Sequence, residues 1–229
     1  MPSIIWKQEP DEAYSNPYDY AAQKQFAHEA CAVIEMLQET LNPRELRYSA
    51  KQETAELAIW MLRSDTIESL RESLKLIGEK RHRPAGVLFR DALETADTAY
   101  YFAIAPEGSS DVLRTWFKNR TPGHGFIRKW IEEYEGAAKA RARAKFYDEL
   151  CKLSHRTYRA LLKSYSLGAG DQLVHDSWRA SKSLVLPHTI AAYYCVLAEL
   201  ILIFLKQLRA TGGLSQQEYS VRWAQTFDG

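Results

Sequence analysis

The run Thr189-Ile-Ala-Ala-Tyr-Tyr-Cys-Val-Leu-Ala-Glu-Leu-Ile-Leu-Ile-Phe-Leu205 decides how the rest of the chain is read. Its apolar residues cover nearly every side of a helix, and a helix that is apolar all round is buried on most faces. A membrane span needs about 20 apolar residues and tolerates a central carboxylate poorly. This run is shorter and carries Glu199, so it predicts the central helix of a protein core. The helix is expected from about Pro187 to Arg209, closed by Gly212-Gly213, with Ser215 capping a short final helix that reaches Trp223.

A core helix of this kind needs other helices to bury it. Residues 1–16 read as an extended or mobile lead-in. A helix follows from Asn16-Pro17, its stripe Phe26, Ala30, Val33, Ile34, Leu37 and Leu41, and Asn42-Pro43 ends it. A second helix is expected from about Pro43 to Arg63. A third carries Ile67, Leu70, Leu74 and Ile77, capped by Ser64 or Asp65 and ended by Gly78. Pro84 opens a long helix to Ile104, and a short amphipathic one spans Asp111 to Lys118. After the loop Asn119-Arg-Thr-Pro-Gly-His-Gly125, a helix runs from Phe126 to Glu135. Gly136 is a break or bend, and a long helix is expected from Ala137 to Tyr165. Residues 166–187 are the longest irregular stretch, and connections of that length are often functional. No alternating pattern predicts a strand. The expectation is an all-α multi-helix bundle: a single helical domain over 17–229, with 78–84 as the one place for a subdivision.

Composition bounds the function. The 229 residues are 46% hydrophobic and 26% charged, with a net charge of +1. Such a chain has no global field for nucleic acid or anionic lipid. No basic, then apolar, leader precedes the first helix, so a cytoplasmic protein without a membrane partner is expected. Cys31, Cys151 and Cys195 all fall in apolar helical patterns and read as buried, reduced thiols. Cys151 lies one turn before His155, which leaves a catalytic thiol as the sharper alternative. The histidines are dispersed and form no metal-ligand spacing, so no metal and no cofactor is expected.

Two polar interruptions remain. On the 137–165 helix, Tyr147 and Ser154 are seven apart and share a face with Leu150, Cys151, Tyr158 and Leu161. Ser154 is therefore expected inside, its hydroxyl bonded to the backbone carbonyl four residues earlier. His155 lies about 100° further round, at the border of the stripe, where an imidazole has both a wall and solvent. On the Pro84 helix, Arg90 and Glu94 are spaced i, i+4 and Asp97 continues their line. If that face is buried, the charges must pair. Arg90, Glu94, Tyr147, Ser154 and His155 are thus the candidate catalytic residues. Arg120 and His124, beside exposed Gly and Pro backbone just before a helix, are the candidate anion-binding pair.

The combination Leu88-Phe-Arg90-Asp-Ala-Leu-Glu94 with Tyr147 and Leu153-Ser154-His155 resembles a widespread, uncharacterised bacterial family of all-helical domains. The resemblance covers about residues 80–205. It implies a helical fold and this choice of residues, and no reaction, since the family has no established activity.

The Lys139-Ala-Arg-Ala-Arg-Ala-Lys145 run reads as a solvated face, with RNA contact as the sharper alternative. Three functions stay open. One is an interaction or regulatory module with a protein partner or self-association, its polar centre structural. Another is a metal-independent hydrolase of RNA or another phosphodiester, with His155 as general base, Arg90 or Arg120 stabilising phosphoryl charge, and Ser154 or Tyr147 positioning substrate. The last is a scaffold in a defence or toxin–antitoxin system, using the 166–187 loop.

Overall fold

The computed structural model describes residues 20–41, 48–49, 51–105, 110–162, 164–167, 172–175 and 187–215. Eight helices occur among them: α1 Tyr20–Leu41, α2 Ala55–Gly78, α3 His82–Ile104, α4 Ser110–Phe117, α5 His124–Glu135, α6 Ala137–Ser154, α7 Tyr158–Leu162 and α8 Pro187–Ala210. The fold is all-α, with one long apolar helix near the C-terminus. The 1–16 lead-in, the Asn42-Pro43 stop, most of the 166–187 stretch and the helix after Ser215 lie outside the described residues.

α8 is long and apolar enough to cross a membrane by length and composition. Its apolar surface is instead spent on the core. Leu197 and Ile201 are fully buried, and Phe204 nearly so, in a cluster built from α1, α2, α3, α6 and α8. Each such side chain contributes about 1.5–3 kcal/mol relative to exposure. Glu199 points outward and is exposed. Gly212 closes the helix in the left-handed region, φ 65°, which lets the Gly213 amide bond back to the Leu208 carbonyl at 2.8 Å.

A second, smaller cluster joins Ala58 of α2, Tyr100, Tyr101 and Phe102 of α3, and Ile127 and Ile131 of α5. Trp116 of α4 and Trp130 pack against it. α2 and α3 feed both clusters and make the most extensive helix contact of the fold. The 79–81 connection between them is the turn of a helical hairpin.

Three expectations on secondary structure need correction. Pro43 to Arg63 and the helix after Ser64-Asp65 are not two helices split there. α2 begins only at Ala55 and runs unbroken to Gly78. Thr54 is its cap, its hydroxyl accepting from the Leu57 amide, and no Gly or Pro interrupts residues 55–77. The helix expected from Ala137 to Tyr165 stops at Ser154. His155 takes extended backbone (φ −69°, ψ 157°), and Thr157 starts α7 by accepting from the Ala160 amide. That break undoes the face continuing from Ser154 to Leu161: Tyr158 and Leu161 are exposed. Finally, two three-residue strands, β1 (Tyr165–Leu167) and β2 (Leu173–His175), pair antiparallel with Tyr165 opposite His175. They are too short to show alternation in sequence, which is why no strand was expected.

The cysteines also depart from expectation. Cys31 is exposed, Cys151 and Cys195 are half-buried, and none of the three is in a disulfide. The apolar stripes locate their helices but do not place these side chains inside.

Candidate functional site

Asp97, seven residues after Arg90 on α3, is the hub of the polar centre. It is wholly buried, and its carboxylate meets groups from three other helices. Arg143 of α6 donates to Oδ1 at 2.6 Å and Gln207 of α8 donates to the same oxygen at 2.7 Å. His124, the first residue of α5, stands 3.2 Å from Oδ2 through Nε2. A carboxylate oxygen accepts, so Nε2 is the donor in this contact. Arg143 reaches on to Glu135 of α5 at 3.3 Å, and Tyr100 bonds the same Glu135. Burial, then the Glu135 charge, raises the Tyr100 hydroxyl well above its ordinary value.

One turn earlier on α3, Glu94 receives Arg90 Nε at 2.8 Å and the Tyr147 hydroxyl at 2.7 Å, both on Oε1. Tyr147 couples this pair to the hub. The His124 ring packs against the Tyr147 ring at 4.5 Å, and the Arg128 guanidinium lies 4.4 Å from the same ring centre. A cation over an aromatic face is attracted by about 0.5–2 kcal/mol. Burial, and then the hydrogen bond to Glu94, pushes the Tyr147 hydroxyl up to about 12, so it stays a donor. Burial also acts to raise the Glu94 carboxyl. The Tyr147 and Arg90 hydrogen bonds and the Arg90 charge outweigh it, and the net shift is downward.

Arg90, Asp91, Glu94, Thr98, Trp116, Gly123, His124 and Tyr147 line a cleft of about 510 Å³ over this network. Three of the five expected residues, Arg90, Glu94 and Tyr147, are therefore brought together. Ser154 and His155 are not among the groups lining it. Ser154 is half-buried and donates to the Cys151 carbonyl three residues back at 3.1 Å. His155 is exposed at the end of α6. The helical border position expected for His155 does not exist, because the helix ends before it. Arg120 and His124 part as well: Arg120 lines a neighbouring hollow with Trp60 and Phe117, while His124 turns to Asp97.

Sequence reasoning noted Asp97 but did not rank it, and missed Arg128, Arg143, Glu135 and Gln207. A signal existed for Arg143. It stands four residues before Tyr147 and so shares its face, which sets it apart from the solvated arginines of the same run. Among the described residues, no group of His, Cys, Asp and Glu is arranged to hold a metal ion. No protein-family model, curated protein or solved structure significantly matches the chain.

The carboxylates in the cleft predict a pH signature. A depressed carboxyl stabilises the fold above its ordinary value, and that stability is lost as pH falls through the folded value. Glu94 is of this kind. Asp91 is the reverse, raised by burial and then by the Asp65 and Glu94 charges, so it contributes stability that fades as pH rises. Glu94→Gln is expected to flatten the rise in urea midpoint between about pH 3 and pH 5, and Asp91→Asn to steepen it. Unchanged slopes in both variants would contradict this assignment.

Proposed function

We propose that this chain is an interaction or regulatory module whose polar centre is structural, acting through protein contacts and not through catalysis at His155. One observation carries the reading: the acidic groups of the centre are taken up inside the chain. Asp97 meets Arg143, Gln207 and His124, and Glu94 meets Arg90 and Tyr147. A buried carboxylate held by groups from three other helices specifies how those helices dock. Aromatic anchors for a protein partner are present beside the cleft, where Trp60, half-exposed Met61 and Trp116 join two adjoining hollows of about 570 and 750 Å³.

A second reading is favoured by one specific feature. His124 is oriented by Asp97, its buried Nδ1 has no hydrogen-bond partner among the described residues, and its ring packs on Tyr147, which Arg90 and Arg128 flank. An imidazole fixed by a carboxylate with its other nitrogen unused is the arrangement of a general base. In a metal-independent hydrolase on this scaffold the base would be His124, with His155 a bystander.

The readings separate in a cleavage assay with a labelled mixed-sequence RNA in excess chelator. The module reading expects wild type, His155→Ala and His124→Ala all to match the protein-free control. Cleavage by wild type that survives in His155→Ala and vanishes in a folded His124→Ala would replace it with the second reading. Cleavage lost in His155→Ala would restore the exposed histidine and contradict both.

A further inference from the structure

A second cavity, of about 670 Å³, lies where the α2–α3 turn faces α7 and the β1–β2 ribbon. That size falls in the usual range for small-molecule sites, about 300–1,000 Å³. Its two walls differ in chemistry. One is the continuous segment Glu79-Lys-Arg-His-Arg-Pro84; the other is Leu161, Ser164, Tyr165 and His175.

Among the described residues lining the first wall, Arg81 and Arg83 stand with one carboxylate, Glu79, and Lys80 adds a further basic group. That carboxylate is committed only loosely, to Arg81 at 3.6 Å, with both side chains about half exposed. The same wall is the start of α3. No side chain caps that helix, and its first turn contains no acidic residue. The positive end of a 23-residue helix thus adds to a concentration of cations, the reverse of the arrangement that stabilises a helix start. An anion in the cavity corrects both. Arg83 Nε is a buried donor with no hydrogen-bond partner among the described residues. Lys80 holds a left-handed backbone, φ 61°, at a helix-end position where glycine is the usual residue.

The second wall supplies surface for an uncharged, flat group. Tyr165 is exposed and meets the His175 ring edge-on at 5.1 Å across the ribbon, Leu161 is exposed beside it, and Ser164 adds a hydroxyl. Cations on one side and an aromatic on the other suit a ligand with a doubly charged head and a ring.

We propose that this cavity binds a small organic phosphate, its phosphoryl group held by Arg81, Arg83 and the Arg83 amide at the start of α3, and its ring against Tyr165 and Leu161. The site is separate from the Asp97 network, so the inference does not depend on whether that network is structural or catalytic.

Phenyl phosphate is the probe, titrated into the full chain by calorimetry in phosphate-free buffer, with phenol and inorganic phosphate as separate arms. Saturable binding of phenyl phosphate with a Kd of about 1 mM or tighter is expected. Phosphate alone should bind more weakly and phenol not at all. Raising the salt weakens binding. Arg83→Gln is expected to weaken phenyl phosphate at least about tenfold, as loss of a charge-assisted contact does. Tyr165→Ala should weaken phenyl phosphate while leaving inorganic phosphate unchanged. Arg81→Gln, at an exposed position that leaves folding intact, repeats the test if Arg83→Gln fails to fold. Absence of saturable binding to wild type overturns the proposal. So does equal affinity in the arginine variants.

Discussion

Asp97→Ala is expected to cost about 3–5 kcal/mol of unfolding free energy, the loss typical of breaking a buried ion pair from one side. The size follows from what is left behind. Among the described residues, Arg143, 12% exposed, would keep Glu135 at 3.3 Å as the one partner for its charge. The Gln207 amide and the His124 Nε2–H would both lose their acceptor on Asp97. Each buried donor without an acceptor carries its own desolvation cost of about 1–3 kcal/mol. Because α3, α5, α6 and α8 all meet at this carboxylate, the loss falls on the docking of four helices. Asp97→Asn keeps the shape and one acceptor oxygen, so it should fall between wild type and alanine. In a double-mutant cycle, adding Arg143→Ala to Asp97→Ala should cost less than Arg143→Ala alone, since the charge it removes is already stranded. Urea denaturation at neutral pH with unchanged slope measures all four proteins. A loss below about 1 kcal/mol for Asp97→Ala would mean that the hub does not hold the helices together.

That network also shows where sequence reading succeeds and where it stops. The helices were legible because their apolar stripes are long: α1, α3, α5 and α8 lie close to where periodicity puts them. Their limits were less so, because a limit depends on one short hydroxyl contact. Thr54 and Thr157 each cap a helix, and neither is flagged by an apolar period. The Thr157 start is what separates His155 from the face it was expected to share. Arg90, Glu94 and Tyr147 were legible as a group because i, i+4 spacing and helical face fix which side chains look the same way. Gln207 and Arg143 were not, since periodicity says which face a residue occupies and nothing about which helix covers that face. Gln207 sits among apolar neighbours on α8, and only the packing of α8 against α3 turns it toward Asp97.

The same packing makes a sharp pair of predictions for α8. Ile201→Asp is expected to cost several kcal/mol, enough to unfold much of a population whose total stability is about 5–15 kcal/mol. Ile201 is fully buried in the main cluster, and the substitution places a carboxylate there in an apolar site. Burial penalises the charged form, so the new carboxyl titrates above its ordinary value. Its damage is therefore smallest in acid, where the group is neutral, and grows as pH rises through that raised value. Glu199→Leu is the counterpart, two residues away on the exposed face, and should change stability by no more than about 0.5 kcal/mol. Together they test whether α8 is a core helix with one wetted edge. Were its outer face covered by apolar surroundings, Glu199 would be the strained residue and its replacement by leucine would stabilise strongly. Thermal and urea unfolding of the two variants between pH 4 and pH 8 decide the matter. A pH-dependent collapse for Ile201→Asp beside near-neutrality for Glu199→Leu is the result that burial on one side and solvent on the other requires.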